Sequence, residues 1–179
     1  SELSLDAVFF VTQPDKTRKF QKDYAVDYRC FSQKGENLGV RMINAFQSLF
    51  EMGYDKIILI GSDSPQLSSE LLMDAVNQLE RCPAVIGPTF DGGYYLIGFN
   101  KSDFDPYIFS NINWSTDLVM SQTLNRFERL GLSPKVLQKQ QDIDVIQDVI
   151  KFFDEFKVLI NKPKATMAQL TNLINNSNT

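Results

Sequence analysis

Ile57-Ile58-Leu59-Ile60, followed at once by Gly61-Ser62-Asp63-Ser64-Pro65, is the stretch on which the fold turns. Four apolar residues in an unbroken run, rather than alternating with polar ones, predict a parallel strand covered by helices on both faces and central in its sheet. On the N-terminal side, from Leu38, the apolar residues Met42, Ile43, Ala45, Phe46, Leu49 and Phe50 recur at helical spacing. Gly53 can take the left-handed conformation that closes such a helix. On the C-terminal side, Ser68 or Ser69 offers an N-cap for a helix whose buried stripe is Leu71, Leu72, Ala75, Val76 and Leu79. Helix, apolar strand and helix in succession are the signature of an α/β fold.

Further out the alternation continues, with no internal repeat and no low-complexity linker. Residues 7–11 read as a strand ended by Pro14, and 28–31 as a second short strand. Residues 84–87 and 94–99 are further strands separated by a turn at 88–93. Ser115 is placed to cap a helix carrying Leu118, Val119, Phe127 and Leu130, which stops at Gly131 before a strand at 135–137. Beyond Asp142 and Asp144 the pattern turns helical over about 146–160. Thr166-Met167-Ala168-Gln169 has the capping-box form for a last short helix, and 175–179 read as a frayed end. The expectation is one α/β domain over 1–179, with 149–179 as a C-terminal helical segment.

Composition narrows the chemistry. The chain has 179 residues, enough for one core, with 43% hydrophobic and 22% charged residues, the range of folded soluble domains. No apolar run approaches bilayer length and no signal-peptide pattern opens the chain, so no membrane span is expected. A net charge of −4 argues against a nucleic-acid partner held by its phosphates and favours small ligands. Cys30 and Cys82 make neither a disulfide framework nor a zinc spacing, which points to a reducing compartment such as the cytoplasm. The complete absence of histidine removes the commonest general base and every Ser/His/Asp or Cys/His triad. Chemistry here has to run on carboxylates, a metal ion, or hydroxyl and backbone groups.

Ligands of open parallel sheets bind beyond the carboxyl ends of the strands, so polar residues just after strand runs are the candidates. Asp63 follows the central strand, where a carboxylate suits a hard divalent cation bridging phosphates; equally, it can organise its turn and cap the next helix. In Asp91-Gly92-Gly93-Tyr94-Tyr95 two glycines let backbone approach a ligand and the tyrosines bring flat faces and hydroxyls, while the same residues also read as a hairpin turn with strand tyrosines. Asp142-Ile143-Asp144 puts two carboxylates on one side of an extended segment; they would complete a metal site with Asp63, or start the following helix.

Five short motifs occur in one order: Gln33-x-Gly35-x-x-Leu38-Gly39-x-Arg41-Met42, Gly61-Ser62-Asp63-Ser64-Pro65, Asp91-Gly92-Gly93-Tyr94-Tyr95-Leu96-Ile97-Gly98, Trp114-x-Thr116-Asp117 and Asp142-Ile143-Asp144. In this order the chain resembles the radical-SAM/selenodomain-associated transferase family, a glycosyltransferase-like branch of the GT-A, nucleotide-diphospho-sugar transferase superfamily, over about residues 6–148. The resemblance implies a Rossmann-like GT-A three-layer sandwich with a mostly parallel sheet, a nucleoside-diphosphate sugar donor, and Mg²⁺ or Mn²⁺ as cofactor. It makes Asp63 and Asp144 metal ligands, with Asp142 a weaker candidate. Gln33, Gly35 and Leu38 fall near the nucleobase, and the 91–95 stretch, with Gly92, Gly93, Tyr94 and Tyr95, faces the transferred sugar. Arg41 is the cation placed for a phosphate or for orienting an acid, or else makes a helix-surface salt bridge. Asp91 or Asp117 would position or deprotonate the acceptor hydroxyl, Asp117 being equally suited to a helix's first turn. Trp114 would stack on a base or sugar, or fill the core or its rim. The acceptor is not identified by these motifs.

The family begins with a strand leading to a glycine and a Lys-Thr-Arg phosphate loop. Lys16-Thr17-Arg18 imitates that loop, but the stretch 15–28 matches the loop after the second family strand. On this reading the chain lacks the family's first strand, central in the sheet, together with its main cationic phosphate contact. An edge left open in that way could pair with a second copy, so a homo-oligomer enters the expectation. Nucleotidyl transfer on the same fold and a non-catalytic nucleotide-binding or assembly module are the alternative functions.

Overall fold

The computed structural model of the chain describes residues 4–12, 16–25, 27–61, 69–140 and 165–173. The central run becomes β3 (Lys56–Gly61), whose inner four residues are all buried. The expected flanking helices form as α2 (Leu38–Glu51) and α3 (Ser69–Leu79). Asn37 starts α2 with its side-chain oxygen accepting from the Val40 N–H at 3.0 Å, and Gly53 (φ +96°) leads the chain away. Strands β1 (Ser4–Val11), β2 (Arg29–Ser32), β4 (Ala84–Pro88), β5 (Tyr94–Asn100) and β6 (Lys135–Val136) lie where the sequence predicts them. A further helix, α4 (Val119–Arg129), follows β5 after two 3-10 turns at Lys101–Asp103 and Pro106–Phe109.

Among the described residues, seven strands make one sheet in the order β2-β1-β7-β3-β5-β4-β6, where β7 is Ala165–Leu173. β5 runs antiparallel to both β3 and β4, while the other neighbours are parallel, so the sheet is mixed. The reason lies in the 89–93 turn: so short a connection can only return the chain antiparallel beside β4. Side-chain alternation sends Ile57 and Leu59 to one face, with Phe46, Leu49 and Phe99, and Ile58 and Ile60 to the other, with Leu72, Val76 and Leu79 of α3. Phe9 faces away from Val8 and Phe10 and packs with Phe20 of α1 (Thr17–Tyr24). Helices thus cover both faces, as a three-layer α/β domain requires.

Three expectations change. The 15–28 stretch holds helix α1, in which Thr17 Oγ1 lies 2.9 Å from Ser32 Oγ, where a loop was expected. Ser115 does not cap α4: it sits at φ +62°, Leu118 takes the N-cap position without a side-chain capping bond, and Thr116 Oγ1 accepts from the Leu118 N–H at 3.3 Å in the turn before the helix. Leu118 is accordingly exposed. Residues 166–169 lie inside strand β7, parallel to β1 on one side and β3 on the other. Pairing on both edges satisfies more backbone groups than one short capped helix, so the tertiary context overrides the local signal. β7 lies between β1 and β3, in the interior of the sheet. The helix expected at 146–160 lies outside the described residues.

Candidate functional site

A cleft of about 120 Å³ opens at the carboxyl ends of β1 and β3, the place where ligands of open α/β sheets bind. Phe10, Leu59, Ile60 and Gly61 reach it from these strands, Gln33 from the end of β2, and Leu38, Arg41, Met42 and Ala45 from the first turns of α2. The amino end of β5, residues 94–97, closes the far side, because an antiparallel strand presents its start where its neighbour ends. The lining is mostly apolar with a few polar groups, the usual make-up of a small-molecule site.

The wall from β2 to α2 is rigidly built. The Gln33 N–H extends the ladder to the Val11 carbonyl at 2.8 Å, and its side-chain Nε2 donates to the Phe10 carbonyl at 3.3 Å. Arg41 Nε donates to the Gly35 carbonyl at 3.0 Å, and Asn44 Nδ2 to the Lys34 carbonyl at 2.8 Å, so α2 holds the loop by two side chains. Gly35 itself sits at φ +134°, and an added Cβ would lie 2.8 Å from Val40 Cγ1 and 2.9 Å from the Arg41 nitrogen. Gly35→Ala is therefore expected to cost about 1–3 kcal/mol and to displace the carbonyl that orients Arg41. Urea unfolding measures the loss; a midpoint equal to wild type would contradict it.

The opposite wall depends on a β-bulge. Gly87 pairs with Leu96 and Pro88 with Tyr94, leaving Tyr95 as the extra residue. Tyr94 consequently turns to the face of α2 and α4, and Tyr95 joins Leu96 on the α3 face. Tyr95 lies over Gly87, where an added Cβ would run into the ring, and its hydroxyl donates to the Gln138 carbonyl at 3.1 Å. Burial, aided by the Asp74 carboxylate, pushes this phenol up to about 12. Burial also raises the Tyr94 phenol, against a lowering contribution from a hydrogen bond with Thr123. Both hydroxyls stay neutral near pH 7 and offer surfaces and hydrogen bonds rather than a base.

Asp91 and Asp117 are placed differently. Asp91 Oδ1 accepts from the Thr89 hydroxyl and from the Gly93 N–H at 3.1 Å, binding the carboxylate into its own turn. Thr89 is 4% exposed, and sequence reading missed it; a threonine two residues before the Asp-Gly-Gly is the signal that could have found it. Gly92 (φ +94°) abuts the backbone of Asp117, and its carbonyl accepts from the Met120 N–H at 2.8 Å. The Asp117 side chain is exposed and has no partner among the described residues. Trp114 is half-buried against Gly39, where a Cβ would meet its ring at 2.8 Å. The 113–118 loop thereby bridges the first turn of α2 and the Asp-Gly-Gly turn through two glycines.

The structure therefore brings Gln33, Leu38, Arg41, Tyr94 and Tyr95 to one cleft, with Gly35 behind Arg41. Gly92, Gly93, Asp91, Asp117 and Trp114 form the loop system beside it. Asp63, Asp142 and Asp144 lie outside the described residues, although Gly61, at the end of β3, lines the cleft. Among the described residues, no helix is long and apolar enough to cross a membrane.

The fold is shared with a solved protein. A crystal structure of a "putative nucleotide-diphospho-sugar transferase" from Desulfovibrio desulfuricans G20 superposes with a TM-score of 0.72 at 33% identity, covering 86% of this chain and 74% of that one. No curated protein matches the chain. A family model does, over residues 2–116, and the chain belongs to that family, described as "Uncharacterized protein conserved in bacteria (DUF2064)".

Proposed function

We propose that this protein is a metal-dependent transferase of glycosyltransferase type that takes a nucleoside-diphosphate sugar as donor. The observation that carries the reading is the cleft at the carboxyl ends of β1 and β3, in a fold shared at 33% identity with the Desulfovibrio protein. The narrower kinship with radical-SAM/selenodomain-associated transferases rests on the five ordered motifs.

In this reading Gln33, Gly35 and Leu38 lie beside the nucleobase, and Arg41 supplies positive charge to the cleft. Gly92, Gly93, Tyr94, Tyr95 and Trp114 frame the sugar. Asp63 and Asp144, with Asp142 in support, hold Mg²⁺ or Mn²⁺ in this reading; the described lining of the cleft contains no carboxylate. The cation would neutralise the departing diphosphate. Asp117 is the better candidate to accept a proton from the acceptor hydroxyl, because its carboxylate is unengaged while that of Asp91 holds a turn. A cytoplasmic setting agrees with two free cysteines, one of which, Cys30, is pushed up to about 11 by burial and is correspondingly unreactive.

Calorimetry of the full chain with UDP and GDP, with and without Mg²⁺, tests the reading. Binding is expected to require the cation and to weaken at least ~10-fold in Asp63→Ala, with an unchanged circular dichroism spectrum. Binding indifferent to the cation would remove the metal role and favour a non-catalytic nucleotide-binding module. Absence of binding would overturn the proposal. Pyrophosphate release from a nucleoside triphosphate would replace sugar transfer by nucleotidyl transfer.

A further inference from the structure

We infer that Tyr107, held between two guanidinium groups away from the cleft, is a nucleophilic tyrosine and a site for covalent modification by acyl-transferring electrophiles. Nothing in this depends on the nucleotide reading. Helix α4 begins beside the Asp-Gly-Gly turn, where the Met120 N–H reaches the Gly92 carbonyl, and its last turn carries Arg126 and Arg129 past the 3-10 turn Pro106–Phe109. Arg129 Nη1 donates to the Tyr107 hydroxyl at 3.1 Å, in a solvent-exposed contact. The Arg126 guanidinium lies over the same ring, 5.4 Å from its centroid. Arg126 is itself fixed there, with Nε donating to the Ser110 carbonyl at 2.9 Å and Nη2 to the Asn111 carbonyl at 3.2 Å.

One cation at the oxygen and one over the ring both favour the phenolate over the phenol. The hydrogen bond from Arg129 comes first, and the charges of Arg129 and Arg126 add to it, so the phenol is lowered from its ordinary value against a small opposing effect of desolvation. Asp105, two residues earlier, does not undo this: its Oδ1 is turned to the Tyr107 backbone N–H at 2.8 Å. The other tyrosines with described side chains are placed in the opposite sense. Tyr28 is buried, and Tyr54, which also has an arginine over its ring, is buried and donates its hydroxyl to the Asp6 carboxylate at 2.9 Å. Tyr94 and Tyr95 are raised by burial.

The phenolate is the attacking form, and a lowered phenol makes more of it available near neutral pH. With N-acetylimidazole as the acyl donor, the Tyr107 oxygen attacks the acetyl carbon and forms the ester bond as the bond from that carbon to the ring nitrogen breaks. Imidazole leaves and takes up the proton that the phenol has given to solvent. Arg129 stays beside the oxygen throughout, so the reaction should depend on that residue and not on exposure alone.

The test treats the folded full chain with N-acetylimidazole and follows each tyrosine by peptide mass spectrometry. Tyr107 is expected to acetylate at least ~10-fold faster than Tyr28, Tyr54, Tyr94 or Tyr95, and its rate should begin to rise at lower pH than that of N-acetyltyrosinamide in the same solution. Arg129→Gln should slow Tyr107 by at least ~3-fold near neutral pH and move the rise to higher pH, with an unchanged melting midpoint, while Arg129→Lys, which keeps the charge, should recover part of the rate. A Tyr107 rate that is the same in Arg129→Gln as in wild type would mean an exposed but ordinary phenol, and overturns the inference. So does faster acetylation of any of the other four, or a pH dependence that coincides with that of the free amide.

Discussion

Phe99→Ala is expected to lower the free energy of unfolding by about 3–5 kcal/mol, a large part of the ~5–15 kcal/mol that holds an ordinary domain together. Phe99 is fully buried on β5 and stands at the centre of a ring cluster. Its centroid lies 5.2 Å from Phe46, 5.4 Å from Phe104, 5.6 Å from Phe127 and 6.1 Å from Phe109. Those partners come from α2, α4 and the 3-10 region between them, so one ring ties three separate segments to the sheet. Truncation opens a hole bounded by rigid rings that cannot all move inward, and it removes several edge-to-face and stacked pairs at once. Phe99→Leu keeps most of the volume and should cost well under half as much. Urea unfolding followed by the single tryptophan, Trp114, reads both variants. A loss below ~1 kcal/mol for the alanine variant would mean that the cluster is not the core of this face.

That cluster also marks where sequence reading succeeds and where it stops. Phe46 and Phe50 declare themselves by helical spacing in α2, and Phe127 by its spacing in α4. Phe104 and Phe109 sit in irregular and 3-10 backbone, which imposes no period of its own, so their burial follows from what they touch and not from any pattern along the chain. Helix α1 escapes notice because its eight residues carry few apolar side chains. The capping-box form of residues 166–169 is a true local signal that loses to pairing with β1 and β3, information held in distant segments.

The same division runs through the candidate site. Gln33, Leu38 and Arg41 are legible through the motif that carries the family resemblance, and the structure brings them to the crevice where the end of β2 meets the first turns of α2. The tyrosine pair is legible as a feature but not in its geometry. The bulge that divides Tyr94 from Tyr95 depends on the register against Gly87 and Pro88 in a neighbouring strand. Phe10 and Met42 line the cleft without polar character to single them out.

Gly92→Ala should be the most damaging small substitution near the cleft, lowering stability by about 3 kcal/mol and the thermal midpoint by roughly 6–12 °C. Two separate penalties meet there. The residue sits at φ +94°, where L side chains are strained, and an added Cβ would lie 2.6 Å from the carbonyl carbon of Asp117. The obstruction is backbone, so no rotamer change relieves it. The 113–118 loop would have to retreat, carrying Asp117 with it and stretching the hydrogen bond from the Met120 N–H to the Gly92 carbonyl that ties α4 to the turn. The adjacent Gly93 provides the control: a Cβ there would sit 3.1 Å from the Thr89 hydroxyl and at ordinary contact distance, 3.5 Å, from the Asp91 carboxylate. Gly93→Ala should therefore cost no more than about 1 kcal/mol by asking the Thr89 side chain to shift. Differential scanning calorimetry of the two variants separates the effects. Equal midpoints would mean that the contact between the turn and the loop does not hold the rim of the cleft, and that Asp117 is positioned by α4 alone.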